Sequence, residues 1–233
     1  MKVNIWSDVR CPFCYIGKKK FEKALENFPQ KDSIEVVWHS YQLDPNLETD
    51  PNTNTVEYFT KAKGVSADQA KQMLGHATAM AKEVGLDFYL EEAVLANSFN
   101  AHRLIQLAKS KGLGNAIEEA LFKAHFTEKK NIDDKTVLTE TGVSVGLEEE
   151  EVKEMLASDA FENEVKQDEL AARRIGVQGV PFFVLNNKYG ISGAQSSEVF
   201  LETLEKAWGE YQQENPSLII SNGDSCSTDG TCN

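Results

Sequence analysis

Strand-forming stretches lie only near the two ends of this 233-residue chain, and the long middle has the periodicity of helices. At the start, Val3 and Ile5 project to one face of a short strand that Trp6 closes. Residues 18–28 carry Phe21, Leu25 and Phe28 at helical spacing, and Pro29 stops the helix. Residues 34–41 are β-branched and aromatic and read as a second strand. Strand, helix and strand at these lengths predict a βαβ unit with parallel neighbours.

After Asp44-Pro45 the character changes. Residues 50–54 read as a polar loop, and no strand signal returns for over a hundred residues. Helices are expected over 66–82, with Met73, Ala77 and Met80 on one face, over 98–109 with Leu104, Ile105 and Leu107, and over 116–126 with Ile117, Leu121 and Phe122. Two shorter helices follow around Val137-Leu138 and around Val152, Met155 and Leu156, then a longer one over 161–174, ended near Gly176. Strands resume at 179–185, and Asn186-Asn187 turns the chain into Tyr189-Gly190-Ile191, a hairpin pattern. A last helix over 196–211 is expected to turn Val199, Phe200, Leu204 and Trp208 inward. The order βαβ, helices, ββα defines an α/β protein with an inserted helical block. From residue 215 the chain is polar and rich in Ser, Gly, Asn and Thr, and reads as a flexible tail.

Four cysteines are too few to staple a chain of this length, so their placement is what matters. Cys11 and Cys14 form a Cys-x-x-Cys at the junction of the first strand and helix. A sulfur at a helix N-terminus faces unpaired N–H groups and the positive end of the dipole, both of which favour thiolate. Cys11, coming first, is the expected exposed nucleophile, and Cys14, one turn deeper, the thiol that closes or resolves a disulfide. Pro12 suits the first turn because it has no N–H to leave unpaired. The rival reading is half of a zinc site. Cys226 and Cys232 would be loosely spaced partners in the tail, and His39, His76, His102 and His125 are scattered without ligand spacing.

Val180-Pro181 is the second signal. A cis bond there would let the Val180 backbone pair with an extended substrate, whereas a trans proline would merely start an edge strand.

Cys11-Pro12-Phe13-Cys14-Tyr15-Ile16-Gly17, Gly176 through Phe183 and Tyr189 through Gln195 together resemble the DsbA family, more narrowly its cytoplasmic FrnE-like branch. Residues 38–45 and 97–104 are similar to that branch as well, so the likeness runs from Met1 to about Tyr211. The resemblance implies a thioredoxin-like fold split into residues 1–48 and 176–214, a helical insertion over 49–175, and a tail over 215–233. It also implies a thiol–disulfide oxidoreductase with Cys11 attacking, Cys14 resolving, Pro181 as a cis-proline facing them and Val180 engaging substrate. His39, Asn97 and Arg103 are the further substrate-pocket candidates. Phe13 departs from the periplasmic pattern, which has histidine there and so stabilises the thiolate. A less oxidising couple is therefore expected, nearer the cytosolic poise of roughly −220 to −320 mV than the about −120 mV of DsbA.

A related branch, resembling kappa-class glutathione transferases and 2-hydroxychromene-2-carboxylate isomerases, uses a serine and bound glutathione near the position of Cys11. It supplies the alternative function, a glutathione-dependent isomerase or transferase, against which the intact cysteine pair weighs. Exchange through Cys11 and Cys14 needs no metal or organic cofactor. Its expected partners are protein dithiols and disulfides or small thiols, glutathione among them, acting on a monomer or homodimer. Cys226 and Cys232 read either as a second dithiol tethered within reach of the first or as idle thiols; a tail of about 15 residues spans roughly 20 Å.

Charge and hydropathy narrow the setting. A net charge of −13 disfavours phosphate-rich partners, so neither nucleic acid nor anionic membrane is expected. The first eight residues lack the apolar core of a signal peptide, and no apolar run approaches 18 residues, which predicts a cytoplasmic protein. Gly142-Val143-Ser144-Val145-Gly146 spells a nucleophile elbow but falls between helices, where a loop is expected. Glu148 through Glu151 suits the first turn of a helix.

Overall fold

The computed structural model describes residues 1–216, so the tail pair Cys226 and Cys232 lies outside the described residues. Strand β1 (Lys2–Ser7) leads through a sharp turn into helix α1 (Pro12–Glu26), and strand β2 (Glu35–Ser40) returns beside β1. The two strands pair in parallel, with Ile5 opposite Trp38 and Trp6 opposite His39. Strand β3 (Phe182–Leu185) runs antiparallel on the other side of β1, and strand β4 (Tyr189–Ser192) completes the hairpin. Asn186 and Asn187 both have φ near +50°, the conformation that a two-residue hairpin turn demands and that asparagine tolerates. The sheet order is β2-β1-β3-β4, a thioredoxin-like arrangement.

Seven helices lie between β2 and β3: α2 (Thr55–Lys63), α3 (Ala67–Glu83), α4 (Phe99–Ser110), α5 (Gly114–Phe126), α6 (Lys135–Ser144), α7 (Glu149–Ala157) and α8 (Glu162–Arg174). Helix α9 (Ser197–Glu214) follows the hairpin. Local chemistry starts several of them. Ser66 and Gln69 form a reciprocal capping box at α3, and Asp134 accepts from Thr136 and Val137 at α6.

Helix α2 follows the expected 50–54 loop, in a stretch for which the sequence predicts no element. Its signals are short but readable: the Asn54 side chain accepts from Glu57 N, and Gly64 ends the helix at φ +63°. Two expected helix faces also change. The buried face of α3 is Ala70, Leu74, Ala77 and Ala81, leaving Met73 42% exposed. In α9, Val199 sits in the exposed first turn while Phe200, Leu204 and Ala207 are buried. The Gly142–Gly146 segment is partly helical: α6 runs through Ser144, and the turn comes at Gly146, φ +101°. Glu149–Glu151 open α7, where their charges oppose the positive end of the dipole.

Helix α1 is packed on two sides, and this fixes the site at its start. Phe21 and Ala24 join Val3, Ile5, Phe183, Phe200 and Leu204 in the core between the sheet, α1 and α9. Cys14, Tyr15 and Ile16 face Leu104, Ile105, Ile117 and Phe122 in the core of the inserted helices. Lys18, 2% exposed, bonds Glu22 on its own helix and Glu119 on α5, and the Tyr15 hydroxyl donates to the same Glu119 at 2.6 Å. Buried charge is tolerated there because it is paired. No described helix is long and apolar enough to cross a membrane.

Candidate active site

Cys11 occupies the N-cap of α1 in an extended conformation, φ −90° and ψ 112°, with Pro12 as the first helical residue. The turn before it is built by Asp8: its carbonyl accepts from Cys11 N at 2.9 Å, while its carboxylate accepts from Arg10 N at 3.1 Å and Leu43 N at 2.8 Å. Across from α1, the Val180–Pro181 bond is cis, and the Val180 carbonyl lies 3.5 Å from the Cys11 Sγ that donates to it. Both cysteines are free.

The two sulfurs have unlike surroundings. Cys11, only 5% exposed rather than open to solvent as expected, lines a cavity of about 500 Å³ together with Pro12 and Phe13. The covering comes from the inserted helices, which local sequence does not reveal. Cys14 is 1% exposed and faces the interior. Burial, and then the neighbouring Cys11, push its thiol well above the ordinary value, against the pull of the Asp8 N–H and the Ser7 hydroxyl.

Asp8 belongs to a set of buried ionisable side chains that also includes His102, Glu118 and His125. His102 Nε2 on α4 is 3.5 Å from Asp8 Oδ1, at the outer limit of a hydrogen bond. Burial works to raise the Asp8 carboxyl, but His102, Arg10 and the Leu43 N–H hold it below its usual range. Burial likewise opposes charge on His102, yet Asp8 and Glu118 raise it above the ordinary histidine value. Glu118 on α5 is pushed up to about 7, chiefly by burial. His125, near the end of α5, is pushed down to about 4 by burial and by the Arg10 charge.

Three sequence candidates for the substrate pocket lie elsewhere. His39 stacks on Trp6 at 4.5 Å between centroids, contacts Asp168 of α8 at 2.6 Å and Asn4 at 2.9 Å, and so ties the sheet to the insertion. Asn97 binds loop groups, donating to Leu47 O at 2.8 Å and accepting from Phe99 N at 2.8 Å; it borders a separate polar cavity of about 560 Å³ that excludes Cys11. Arg103 is 4% exposed and gathers the carbonyls of Met155, Ser158 and Ala160 at the end of α7. Their residue types fit a polar pocket, but the tertiary partners make them internal ties. Conversely, Arg10, Tyr58 and His125 border the cavity at Cys11 without any motif to announce them. Among the described residues no three His, Cys, Asp or Glu side chains converge as a metal site.

A dithiol in the first turn of α1, set against a cis-proline strand in a β2-β1-β3-β4 sheet, defines the class: disulfide oxidoreductases on a thioredoxin fold. The chain belongs to the DSBA-like thioredoxin domain family, whose pattern matches residues 2–205. It is similar to a probable DsbA oxidoreductase from Streptomyces coelicolor, with 39% identity, coverage of 100% of this chain and 98% of that one, and a TM-score of 0.85. The Bacillus subtilis (strain 168) protein YwbO is 27% identical over 217 residues, 91% of this chain and 98% of that protein. The fold alone is shared with the cytosolic disulfide reductase DsbM from Pseudomonas aeruginosa, solved with GSH, at 18% identity and a TM-score of 0.61, covering 92% and 98% of the two chains. A 2-hydroxychromene-2-carboxylate isomerase has the same TM-score and coverage at 17% identity.

Proposed function

We propose that this enzyme exchanges disulfides through a mixed disulfide on Cys11 that Cys14 resolves. The unlike placement of the two sulfurs carries the reading: one faces a cavity where a substrate sulfur can arrive, the other stays inside. Cys11 thiolate attacks a substrate disulfide, forming a Cys11–substrate bond and expelling the first substrate thiolate, which takes up a proton. Cys14, having lost its proton, attacks Cys11 sulfur and expels the second. The dithiol is thereby oxidised by two electrons and the substrate disulfide is reduced to two thiols; the reverse sequence oxidises a dithiol. Val180 offers backbone to the bound substrate beside Pro181. Phe13 in place of histidine favours a potential on the cytosolic side, so the reading includes a cytoplasmic location. A measured potential above about −150 mV would contradict it.

The decisive experiment is trapping. Cys14→Ser is expected to accumulate a substrate adduct on Cys11, visible by intact mass, and Cys11→Ser to form none. A glutathione-dependent isomerase or transferase makes the opposite demand. Full turnover by Cys14→Ser with saturable glutathione would establish that alternative and sink the dithiol cycle.

A further inference from the structure

The cavity at Cys11 has a chemistry of its own. Phe13, Phe59, Leu74, Ala77, Leu90 and Phe126 give it an apolar wall, and at about 500 Å³ it has the size of pockets that enclose small organic ligands. Leu43 and Met73, 50% and 42% exposed, also border it. The charged groups on its lining are Arg10, Lys63 and Asp44, with His76 and His125 as the titratable imidazoles.

Two of these polar groups have one nitrogen packed into the wall. Arg10 lies with its guanidinium carbon 5.7 Å from the centre of the Tyr58 ring and makes no ion pair among the described residues, and its Nη1 is buried without a hydrogen bond. The Tyr58 hydroxyl donates to Asp44 Oδ2 at 3.0 Å, which occupies that carboxylate. His125 is 4% exposed, and its Nδ1 is likewise buried without a partner. Arg10, Lys63, Asp44 and Tyr58 add polar groups to this otherwise apolar wall.

We propose that Cys11 exchanges with small-molecule disulfides whose thiol half has an apolar, ring-sized body and one hydrogen-bonding group at its far end. The proposal rests on the dithiol reading above and names its substrate class. The apolar body fills the space between α1 and the helices α2 and α3, and the far group bonds to the polar side chains of the lining, Arg10 foremost. Glutathione fits this wall poorly, because its charged carboxylates and ammonium would have to leave water for an apolar surface. A folded protein meets a different obstacle, since Cys11 is 5% exposed and faces this cavity. In the step itself Cys11 thiolate forms a bond to one substrate sulfur and the other leaves as a thiolate. Resolution by Cys14 then releases the second thiol and leaves the enzyme disulfide.

The test uses the reduced full-length protein and four disulfides: hydroxyethyl disulfide, glutathione disulfide, bis(4-carbamoylbenzyl) disulfide and a disulfide-bonded peptide. Each rate is divided by the rate of the same compound with dithiothreitol, removing intrinsic reactivity. The carbamoylbenzyl compound is expected to react at least tenfold faster than glutathione disulfide. Met73→Glu at the cavity wall and Arg10→Gln within it are each expected to reduce that ratio at least fivefold. A ratio below ten, an unchanged ratio in both variants, or a peptide that outpaces every small disulfide overturns the proposal. Reaction with hydroxyethyl disulfide separates the two readings. If it proceeds while selectivity is lacking, only the substrate class fails; if none of the four reacts, the exchange reading falls with it.

Discussion

Gly17 and Pro181 are packed so closely that a β-carbon on Gly17 would stand 3.0 Å from Pro181 Cγ. The same atom would meet Phe183 Cζ at 3.5 Å and Ala194 Cα at 3.6 Å, so the strand entry has little room to retreat. The absence of one methyl group thus sets how near the loop carrying Val180 comes to α1. Gly17→Ala tests this. Alanine gains up to about 1 kcal/mol of helix propensity, but overpacking costs about 1–3 kcal/mol. A net loss of about 1 kcal/mol in urea unfolding is expected, with slower exchange at Cys11 as Val180 is displaced. A stabilised variant with unchanged exchange would show that the contact relaxes freely.

Arg103 holds three carbonyls at the α7–α8 connection, and Asn100 Oδ1 also accepts from it at 3.0 Å. Removing a buried donor that satisfies several acceptors leaves them unpaired at about 1–3 kcal/mol each. Arg103→Ala should therefore lower stability by about 3 kcal/mol, while alkylation of Cys11 in the folded protein keeps its rate. A tenfold loss of Cys11 reactivity in fully folded variant would restore Arg103 to the substrate site.

Glu118 gives a pH dependence with a definite sign. Its carboxyl rises from 4.5 to about 7 on folding, so between those values the native state holds a proton that the unfolded chain has released. Stability contributed by this residue is then full below pH 4.5, falls as pH rises toward 7, and levels off above it. Glu118→Gln abolishes the fall. Relative to the parent, the variant is expected to gain about 3 kcal/mol between pH 4 and pH 8, an order-of-magnitude figure from the shift. Urea titrations of both proteins at the two pH values read it directly, and a constant difference would refute it.

Cys226 and Cys232 lie outside the described residues, and their part in the reaction is a proposal from sequence. If the pair relays a disulfide to Cys11 and Cys14, the Cys226→Ser, Cys232→Ser double variant slows turnover of a protein dithiol while leaving the first mixed disulfide on Cys11 unaffected. Equal turnover by both proteins removes the relay.

Much of the architecture is legible in the sequence. Alternating Val3 and Ile5, the aromatic run around Trp38 and the Asn186-Asn187 turn encode β1, β2 and the hairpin through local side-chain direction and backbone preference. Helix α2 escapes because its nine residues carry little apolar periodicity; none of them is buried. Spacing puts Met73 on one face with Ala77 and Met80 and turns Val199 inward, but it fixes which residues share a stripe, not which edge of that stripe the neighbours cover.

The candidate site divides in the same way. The Cys11-Pro12-Phe13-Cys14 motif and its place at the start of a helix follow from the order of residues, because capping and the first-turn proline are local chemistry. What surrounds the sulfurs is not local. Cys11 is buried because helices from a segment beginning some forty residues later roof it, and Cys14 meets Asp8 and Ser7 through the turn and sheet. His39, Asn97 and Arg103 have the right chemistry for a pocket, yet their bonds to Asp168, Leu47 and the α7–α8 carbonyls make them ties within the fold. Sequence by itself determined every element but α2, and with them the dithiol and its family. Tertiary packing decided which sulfur meets the cavity and which polar groups stand at its wall, since burial and electrostatic surroundings are set by neighbours distant in the chain.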